Sequence, residues 1–352
     1  MKYLVWIILI TLIIFRYFTT RPVYKDGDKV RVTGVIYSDP ILYENARYIK
    51  LEDLKIYVPI YPEISYGDKV VLEGTVDSGK IKKGKLISVS NGVSFGANFR
   101  NKIISFYQSV LPEPYAGLIA GVTLGSKGAL TANFWEMVKN TGVAHVVVAS
   151  GTNVTFVVSF LISTVTLFLP RRKAIPFVIL GIILYLFISG FDAPLIRAAV
   201  MALVAFLAIE SGRMINAWRN LVFTALIMLI YNPDWIIDIG FILSFVSTAS
   251  IMLFERKIRT KLNFLPKIVK EGLSTSLAAQ IGVTPILFVT FGQFNIWSPV
   301  INALILWTIP FIMILGVIGG VVGLIIPILG KAILFLTYPV LWWFVSLVNI
   351  FS

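Results

Sequence analysis

The chain of 352 residues contains no cysteine, and His145 is its single histidine. Without cysteine the protein has no disulfide bonds, no thiolate metal sites and no cysteine nucleophile. One histidine is also too few for a metal site built from several imidazoles. We therefore expect neither a metal site nor a cofactor.

Charged residues are scarce as well. They make up 14% of the chain, whereas 57% of it is hydrophobic and the mean hydropathy is +0.85. Such a composition predicts a polytopic membrane protein and leaves no room for a second large soluble domain. The net charge of +13 fits this class, because Lys and Arg accumulate in the cytoplasmic loops of multi-spanning proteins.

A nucleotide-hydrolysing motif is missing too. A phosphate loop needs lysine directly after glycine and a hydroxyl residue after that lysine, but Lys127 is followed by Gly128. If the protein moves a substrate, we expect the energy to come from a partner.

The first 20 residues resemble a signal sequence, with Lys2 before an apolar run and Arg16 after it. No small-residue cleavage site follows, so residues 1–20 are predicted to be an uncleaved membrane anchor.

Residues 24–93 alternate apolar and polar side chains between Gly, Asp and Pro breaks, which is typical of short β-strands. The sequence GDKVRVTG at 27–34 recurs as GDKVVLEG at 67–74. Five or so strands with glycines at bends predict a small OB-like β-barrel. Tyr37, Tyr48 and Tyr57 are candidates for stacking on nucleic-acid bases. The alternative is that tyrosine is simply a good strand residue.

Residues 97–142 contain stretches with amphipathic helical spacing and are predicted to form helices at the membrane surface. Residues 143–352 are predicted to be a multi-spanning core, with apolar segments at about 145–169, 174–190, 193–210, 217–231, 236–254, 272–291, 298–326 and 331–350. Basic residues occupy alternate connections, at 171–173, 213–219 and 255–270, which assigns these to the cytoplasm. His145 and the predicted barrel at residues 24–93, called the β-module below, then lie on the extracytoplasmic side of the inner membrane.

The stretch at 141–154, TGVAHVVVASGTNV, brings His145, Ser150, Gly151 and Asn153 to the mouth of a spanning segment. Irregular polar backbone at membrane depth is tolerated only where protein buries it or water reaches it. The stretch is therefore a candidate pore lining. The alternative is that His145 marks a helix end at headgroup level, with Ser150 and Asn153 bonding a neighbouring helix.

Arg197 lies within another apolar segment, where a charge costs on the order of 2.5–3.5 kcal/mol at a helix centre. It is a candidate for the same path, unless it snorkels to the surface or pairs with Asp192. Further candidates are polar residues in apolar segments: Asp238, Ser244, Gln280 and Asn302. Each alone could simply form an interhelical hydrogen bond that stabilises helix packing by about 0.6 kcal/mol. Together with the histidine stretch they predict a polar interior.

Several patterned segments resemble, in order and spacing, the ComEC-type competence channel family: TGVAHVVVASGTNV, PLIRAAVMAL, NPDWIIDIGFILSF and SLAAQIGVTPILFVTFGQFNIWSPVINALI. The resemblance covers most of residues 110–350. It implies an OB-like extracytoplasmic module and passage of single-stranded DNA across the inner membrane during natural transformation. The residues that fall on family motif positions are His145, Ser150, Gly151, Arg197, Gly240, Ser244, Gln280 and Pro285.

The chain departs from the family pattern at two places. Asn153 stands where the family often has histidine in Ser-Gly-x-His. The metallo-β-lactamase-like nuclease domain of longer members is expected to be absent, because the chain stops at Ser352 and has no His-Asp cluster.

The leading hypothesis is a DNA-translocation channel and not an enzyme, in which Arg197 offsets phosphate charge. Its expected partners are single-stranded DNA, membrane lipid, a cytosolic motor or helicase, a DNA-receptor protein and a separate nuclease; the oligomeric state stays open. One alternative is a secondary transporter with a mid-membrane site for a small solute. Another is a membrane enzyme with Ser150 as nucleophile and His145 as base, which requires a helix break near Gly151.

Overall fold

The computed structural model describes residues 2–19, 26–37, 39–42, 46–51, 54–62, 64–77, 80–81, 84–90, 95–148, 151–191, 193–210, 212, 216–292 and 295–352. Most of these residues are helical, and a small β region lies near the N-terminus. Two residues considered above, Ser150 and Asp192, lie outside the described residues.

The β region forms two small sheets. Its strands are β1 (Lys29–Val35), β2 (Ile41–Leu42), β3 (Arg47–Leu51), β4 (Leu54–Val58), β5 (Lys69–Thr75), β6 (Lys80–Ile81) and β7 (Lys85–Ser90). One sheet has the antiparallel order β1-β5-β7, and the other has the order β2-β3-β4-β6 with β4 and β6 parallel. Valine, isoleucine and leucine side chains from both sheets form one buried core.

The sequence repeat has a direct structural counterpart. Its two copies lead into β1 and β5, which pair antiparallel along their whole length. Each copy begins with a glycine in the left-handed region, Gly27 at φ +98° and Gly67 at φ +91°. Glycine enters this region without steric cost, so both copies can turn tightly into their strands.

The helices follow as α1 (Lys2–Thr19), α2 (Phe95–Val110), α3 (Tyr115–Leu124), α4 (Ala132–Asn140), α5 (Ala144–Val147), α6 (Gly151–Phe168), α7 (Arg171–Ser189), α8 (Ala193–Glu210), α9 (Ala217–Tyr231), α10 (Ile239–Lys261), α11 (Lys267–Phe291), α12 (Ser298–Ile305), α13 (Ile309–Ile325) and α14 (Pro327–Phe351). Short 3₁₀ turns at Pro233–Ile237 and Leu306–Thr308 precede α10 and α13.

Four stretches among the described residues are long and apolar enough to cross a membrane: Ile239–Lys261, Val269–Thr290, Ser298–Ile325 and Pro327–Phe351. Helices α6 to α9 are apolar but shorter. The architecture is that of a helical membrane protein with a small N-terminal β region. Spans beyond these four, and the division of the chain into an anchor, a β-module, surface helices and a channel core, stay predictions.

Helix α3 is enclosed by other helices. Every residue from Ala116 to Leu124 is buried, and the helix packs against α2, α13 and α14. Helix α2 approaches α13 closely because α13 is rich in glycine. Tyr107 Oη of α2 donates to the carbonyl oxygen of Gly316 in α13 at 2.9 Å. The predicted surface position of residues 97–142 stays a prediction, and α3 is shielded by protein on all sides.

The β-module is attached to the helices by buried polar contacts. Arg100 on α2 forms an ion pair with Asp39 at 2.8 Å, and the two side chains are 1% and 8% exposed. Tyr66 Oη donates to the carbonyl oxygen of Phe187 at 3.0 Å, near the C-terminal end of α7. The module therefore sits at the end of α7 opposite its first residue, Arg171.

Candidate functional site

Arg197 joins two helices of the apolar core. It lies in the second turn of α8, where its Nε donates to Ser244 Oγ of α10 at 2.6 Å. Its Nη1 contacts the sulfur of Met201, one turn further along α8, at 3.4 Å. The guanidinium carbon lies 5.9 Å from the ring centroid of Phe245, within the range of a cation–π contact. The half-buried cation is thus held in one orientation by three neighbours.

Gly151 lets a third helix reach the same guanidinium. It is the first residue of α6, and a Cβ atom there would lie 2.9 Å from Nη2 of Arg197 and 3.4 Å from Cβ of Ala198. A larger residue would therefore push α6 away from α8. The first amides of a helix lack partners within it and carry a partial positive charge. The N-terminus of α6 and the guanidinium together give this place a positive potential.

No carboxylate of the described residues lies within ion-pair distance of Arg197. Asp238 instead caps α10, where its Oδ1 accepts a hydrogen bond from the Phe241 amide at 2.9 Å. Gly240 follows the cap, and a Cβ atom there would lie 3.0 Å from that same Oδ1. The predicted alternative partner, Asp192, lies outside the described residues.

Gln280 and Asn302 belong to a second polar group, on α11 and α12. Gln280 Nε2 donates to the Asn295 carbonyl at 3.5 Å, and Asn295 Nδ2 donates to the Asn140 carbonyl at 2.6 Å. Asn302 Nδ2 contacts Ser298 Oγ at 3.3 Å, and Ser298 Oγ donates to the Gly142 carbonyl at 3.3 Å. These contacts hold the turn before α5 against α11 and α12.

The remaining residues of the histidine stretch point in different directions. Asn153 is fully buried, and its Nδ2 donates to the Val122 carbonyl at 2.7 Å, which ties α6 to α3. His145 lies on the four-residue helix α5 with its side chain exposed. The helix ends at Val147 and α6 begins at Gly151, so the chain has the break that the enzyme alternative requires. Ser150, its nucleophile, lies outside the described residues.

The structure thus brings Gly151, Arg197 and Ser244 into contact and keeps the Gln280–Asn302 group separate. Whether all of these residues line one path stays a prediction. Sequence reasoning missed Met201 and Phe245 as neighbours of Arg197. The spacing of four residues between Arg197 and Met201 was a usable signal, since such pairs share one helix face.

The tyrosines of the β-module occupy two places. Tyr48 and Tyr57 face each other across β3 and β4, with ring centroids 5.5 Å apart, and both are half-buried. Tyr37 is 48% exposed, and its ring contacts Phe191 edge-on at 6.1 Å. Tyr37 therefore lies at the junction with the helices, away from the paired strands β3 and β4.

Comparisons with known proteins give one consistent family. The family model described as "Competence protein" matches residues 122–352. ComE operon protein 3 of Bacillus subtilis (strain 168) is 30% identical over 233 residues, which are 64% of this chain and 28% of that protein. Competence protein ComA of Neisseria gonorrhoeae is 26% identical over 222 residues, 58% of this chain and 30% of that protein.

The chain spans less than a third of the length of these relatives. No solved structure gives a significant match to it. The family model nevertheless covers well over half of the chain, including Arg197, Ser244 and the second polar group. The chain belongs to the Competence protein family.

Proposed function

We propose that this protein is a membrane channel, and not an enzyme, through which single-stranded DNA passes during natural transformation. The observation that carries the proposal is that Arg197 of α8 lies against both α6 and α10. Placing a guanidinium among apolar helices costs free energy, and such residues are therefore usually functional. Membership of the competence family makes a DNA strand the substrate that fits this cation best.

The chemistry of the Arg197 environment suits a phosphodiester. A guanidinium offers a planar set of donors that matches phosphate oxygens, and helix N-termini bind phosphate through their free amides. Ser244 occupies only Nε of Arg197, which leaves Nη2 beside the N-terminus of α6. We expect phosphates to be held there one at a time and without preference for base sequence.

We further propose that residues 24–93 form an OB-like module on the extracytoplasmic side. Antiparallel pairing of β1 with β5 and of β5 with β7, together with the single buried core that both sheets share, supports a small OB-like module. Its contacts at Phe187 and Phe191 lie at the end of α7 away from the basic residues 171–173. The positive-inside rule assigns that basic end to the cytoplasm.

The proposed partners follow from what translocation requires. A strand that emerges in the cytoplasm needs a motor, such as a helicase, because the sequence holds no nucleotide-hydrolysing motif. A DNA-receptor protein would deliver the strand to the outer side, and a separate nuclease would remove its complement. The surrounding membrane lipid completes the assembly.

The proposal predicts salt-dependent binding that requires Arg197. The full chain in lipid nanodiscs is titrated with fluorescent oligo-dT over a range of salt concentrations. We expect log K to fall linearly with log salt, and Arg197→Ala to lower the slope by about 0.7, the share of one phosphate contact on a single strand. Arg197→Lys should keep the slope but bind more weakly, since it loses the fork geometry.

Ser244→Ala is the matched control for this experiment. It removes the hydrogen bond to Nε but leaves the charge, so affinity should fall less than in Arg197→Ala and the slope should stay as in the native chain. Absence of binding at low salt by a correctly folded native chain would overturn the proposal. Uptake of a small solute in its place would support the transporter alternative.

A further inference from the structure

Two polar side chains on α9 are buried without full hydrogen bonding. Asn220 and Thr224 lie one turn apart and are 8% and 0% exposed. Asn220 Nδ2 donates to the Met201 carbonyl of α8 at 3.0 Å. Asn220 Oδ1 and Thr224 Oγ1 have no hydrogen-bond partner within the described part of the chain. The seam between α8 and α9 therefore contains two unsatisfied polar atoms.

Thr224 differs in this respect from other threonines of the bundle. The hydroxyls of Thr123, Thr166 and Thr248 donate to the carbonyl four residues earlier in their own helices, at 2.6 to 2.8 Å. Thr224 has the same option within α9 and does not use it. An unsatisfied buried hydroxyl destabilises the fold, so a valine of the same shape would pack better at this position. This argues for a partner that the resting structure does not contain.

Asn220 lies next to the proposed phosphate contact, and Thr224 follows it by one turn of α9. Met201 contacts Arg197 through its sulfur and Asn220 through its carbonyl oxygen. Four residues along α8 correspond to about 6 Å of rise, so Met201 lies one turn deeper than Arg197. The polar atoms of α9 thus continue from Arg197 along the seam that α8 and α9 share.

We propose that Asn220 and Thr224 form the next contact for the translocating strand, in the seam between α8 and α9 directly beside Arg197. This inference rests on the proposed function and names residues that neither the sequence motifs nor the Arg197 cluster includes. When a strand enters, α8 and α9 separate and the bond from Asn220 to the Met201 carbonyl breaks. The Thr224 hydroxyl and the Asn220 amide then donate to phosphate oxygens, and Asn220 Oδ1 accepts from water in the open seam.

The resting seam is closed, because both side chains are buried. Closure without a strand would keep ions from leaking, and the unsatisfied atoms lower the stability of the closed form relative to the occupied one. Such a balance suits a channel that opens only around its substrate.

Isosteric substitution separates this role from a structural one. Thr224→Val removes the hydroxyl and keeps the shape, so thermal stability should be unchanged or higher. Entry of fluorescent oligo-dT into liposomes that contain a trapped single-strand-binding protein should nevertheless fall by about fivefold to tenfold, the effect of losing one hydrogen bond. Thr224→Ser should restore entry. Asn220→Leu should reduce entry in the same way.

Thr337→Val is the matched control, since Thr337 is also fully buried but bonds to the Leu334 carbonyl of its own helix. It should leave strand entry unchanged. If oligo-dT enters through the Thr224→Val variant at the native rate, the proposal is wrong. It is also wrong if Thr337→Val reduces entry by the same factor. A loss of entry in Thr224→Val that comes with lower stability would also contradict it.

The absence of cysteine from the chain permits a second, independent test. A cysteine introduced as Thr224→Cys is the sole thiol of the protein. It should resist a charged, water-soluble thiol reagent in the resting channel and react when a tethered oligo-dT holds the channel open. Thr337→Cys, equally buried on α14, should stay unreactive in both states. Equal reactivity of both cysteines would indicate general loosening of the helices and contradict the proposed contact.

These outcomes are distinct from failure of the proposed function. If oligo-dT binding requires Arg197 but entry is unaffected by Asn220→Leu and Thr224→Val, the proposed channel function is supported and the proposed contact at Asn220 and Thr224 is wrong. If the native chain binds no oligo-dT at all, both are wrong.

Discussion

Replacing Gly330 by alanine is expected to prevent α13 and α14 from packing together. A Cβ atom at Gly330 would lie 2.2 Å from the Cα of Gly323 and 2.6 Å from its nitrogen, and both atoms belong to backbone. Backbone atoms of a helix cannot rotate away, so the two helices would have to separate. We expect a loss of about 3 kcal/mol, at the upper end for overpacking, and poor accumulation of the folded protein. The midpoint of thermal unfolding in nanodiscs and the yield of monodisperse protein measure this effect.

Two further glycines make the prediction sharper. At Gly323 a Cβ atom would lie only 2.0 Å from Phe106, but that neighbour is a half-buried side chain beside a groove lined by Asn98, Lys102 and Leu324. The ring can move, so Gly323→Ala should cost less than Gly330→Ala despite the shorter distance. Gly128→Ala meets nothing closer than 3.6 Å and should be neutral. A cost that followed distance alone would contradict this reasoning.

Removing Arg100 should loosen the β-module from the helices. In Arg100→Met the Asp39 carboxylate stays buried and, among the described residues, keeps only the Gly128 amide as a donor, at 3.3 Å. The guanidinium also covers the ring of Tyr66, with its carbon 4.2 Å from the centroid, and this contact is lost as well. Breaking one side of a buried ion pair costs about 3–5 kcal/mol, because the other charge is left without compensation. The thermal midpoint of the full chain should fall accordingly.

A double substitution tests whether charge is the cause. Asp39→Asn combined with Arg100→Met removes both charges, so its stability should lie much closer to that of the native chain than either single variant does. Arg31→Met is the control, since the Arg31–Glu73 pair is exposed and such pairs contribute little. If the double variant is as unstable as the sum of the single ones, the ion pair does not hold the module.

Much of the architecture could be predicted from the sequence because it depends on local patterns. The apolar composition and long apolar runs predicted a helical membrane protein, and alternation with glycine turns predicted a small β region. The GDK repeat predicted two equivalent turn-and-strand units at Gly27 and Gly67. Each of these properties is a periodicity or a backbone preference, which neighbouring residues express wherever they lie in the fold.

The site could be predicted only in part. The sequence identified Arg197 and Gly151 as unusual residues in apolar surroundings, and the structure brings them together with Ser244. It did not indicate that Gln280 and Asn302 belong to a different group, which holds the turn at Asn140. Polarity within an apolar run reveals that a residue has a partner, but the identity of the partner depends on which helices touch.

Sequence alone therefore determined the class of this protein, its mostly helical character, its β-strand region and its membership of the competence family. Only the tertiary structure decided that Arg100, which reads as an ordinary basic residue of an amphipathic helix, is among the most deeply buried side chains. Its partner Asp39 lies 61 residues away, and the Ser244 that orients Arg197 lies 47 residues away. Contacts at such separations leave no local periodicity, because they arise from the packing of elements that the chain brings together only on folding.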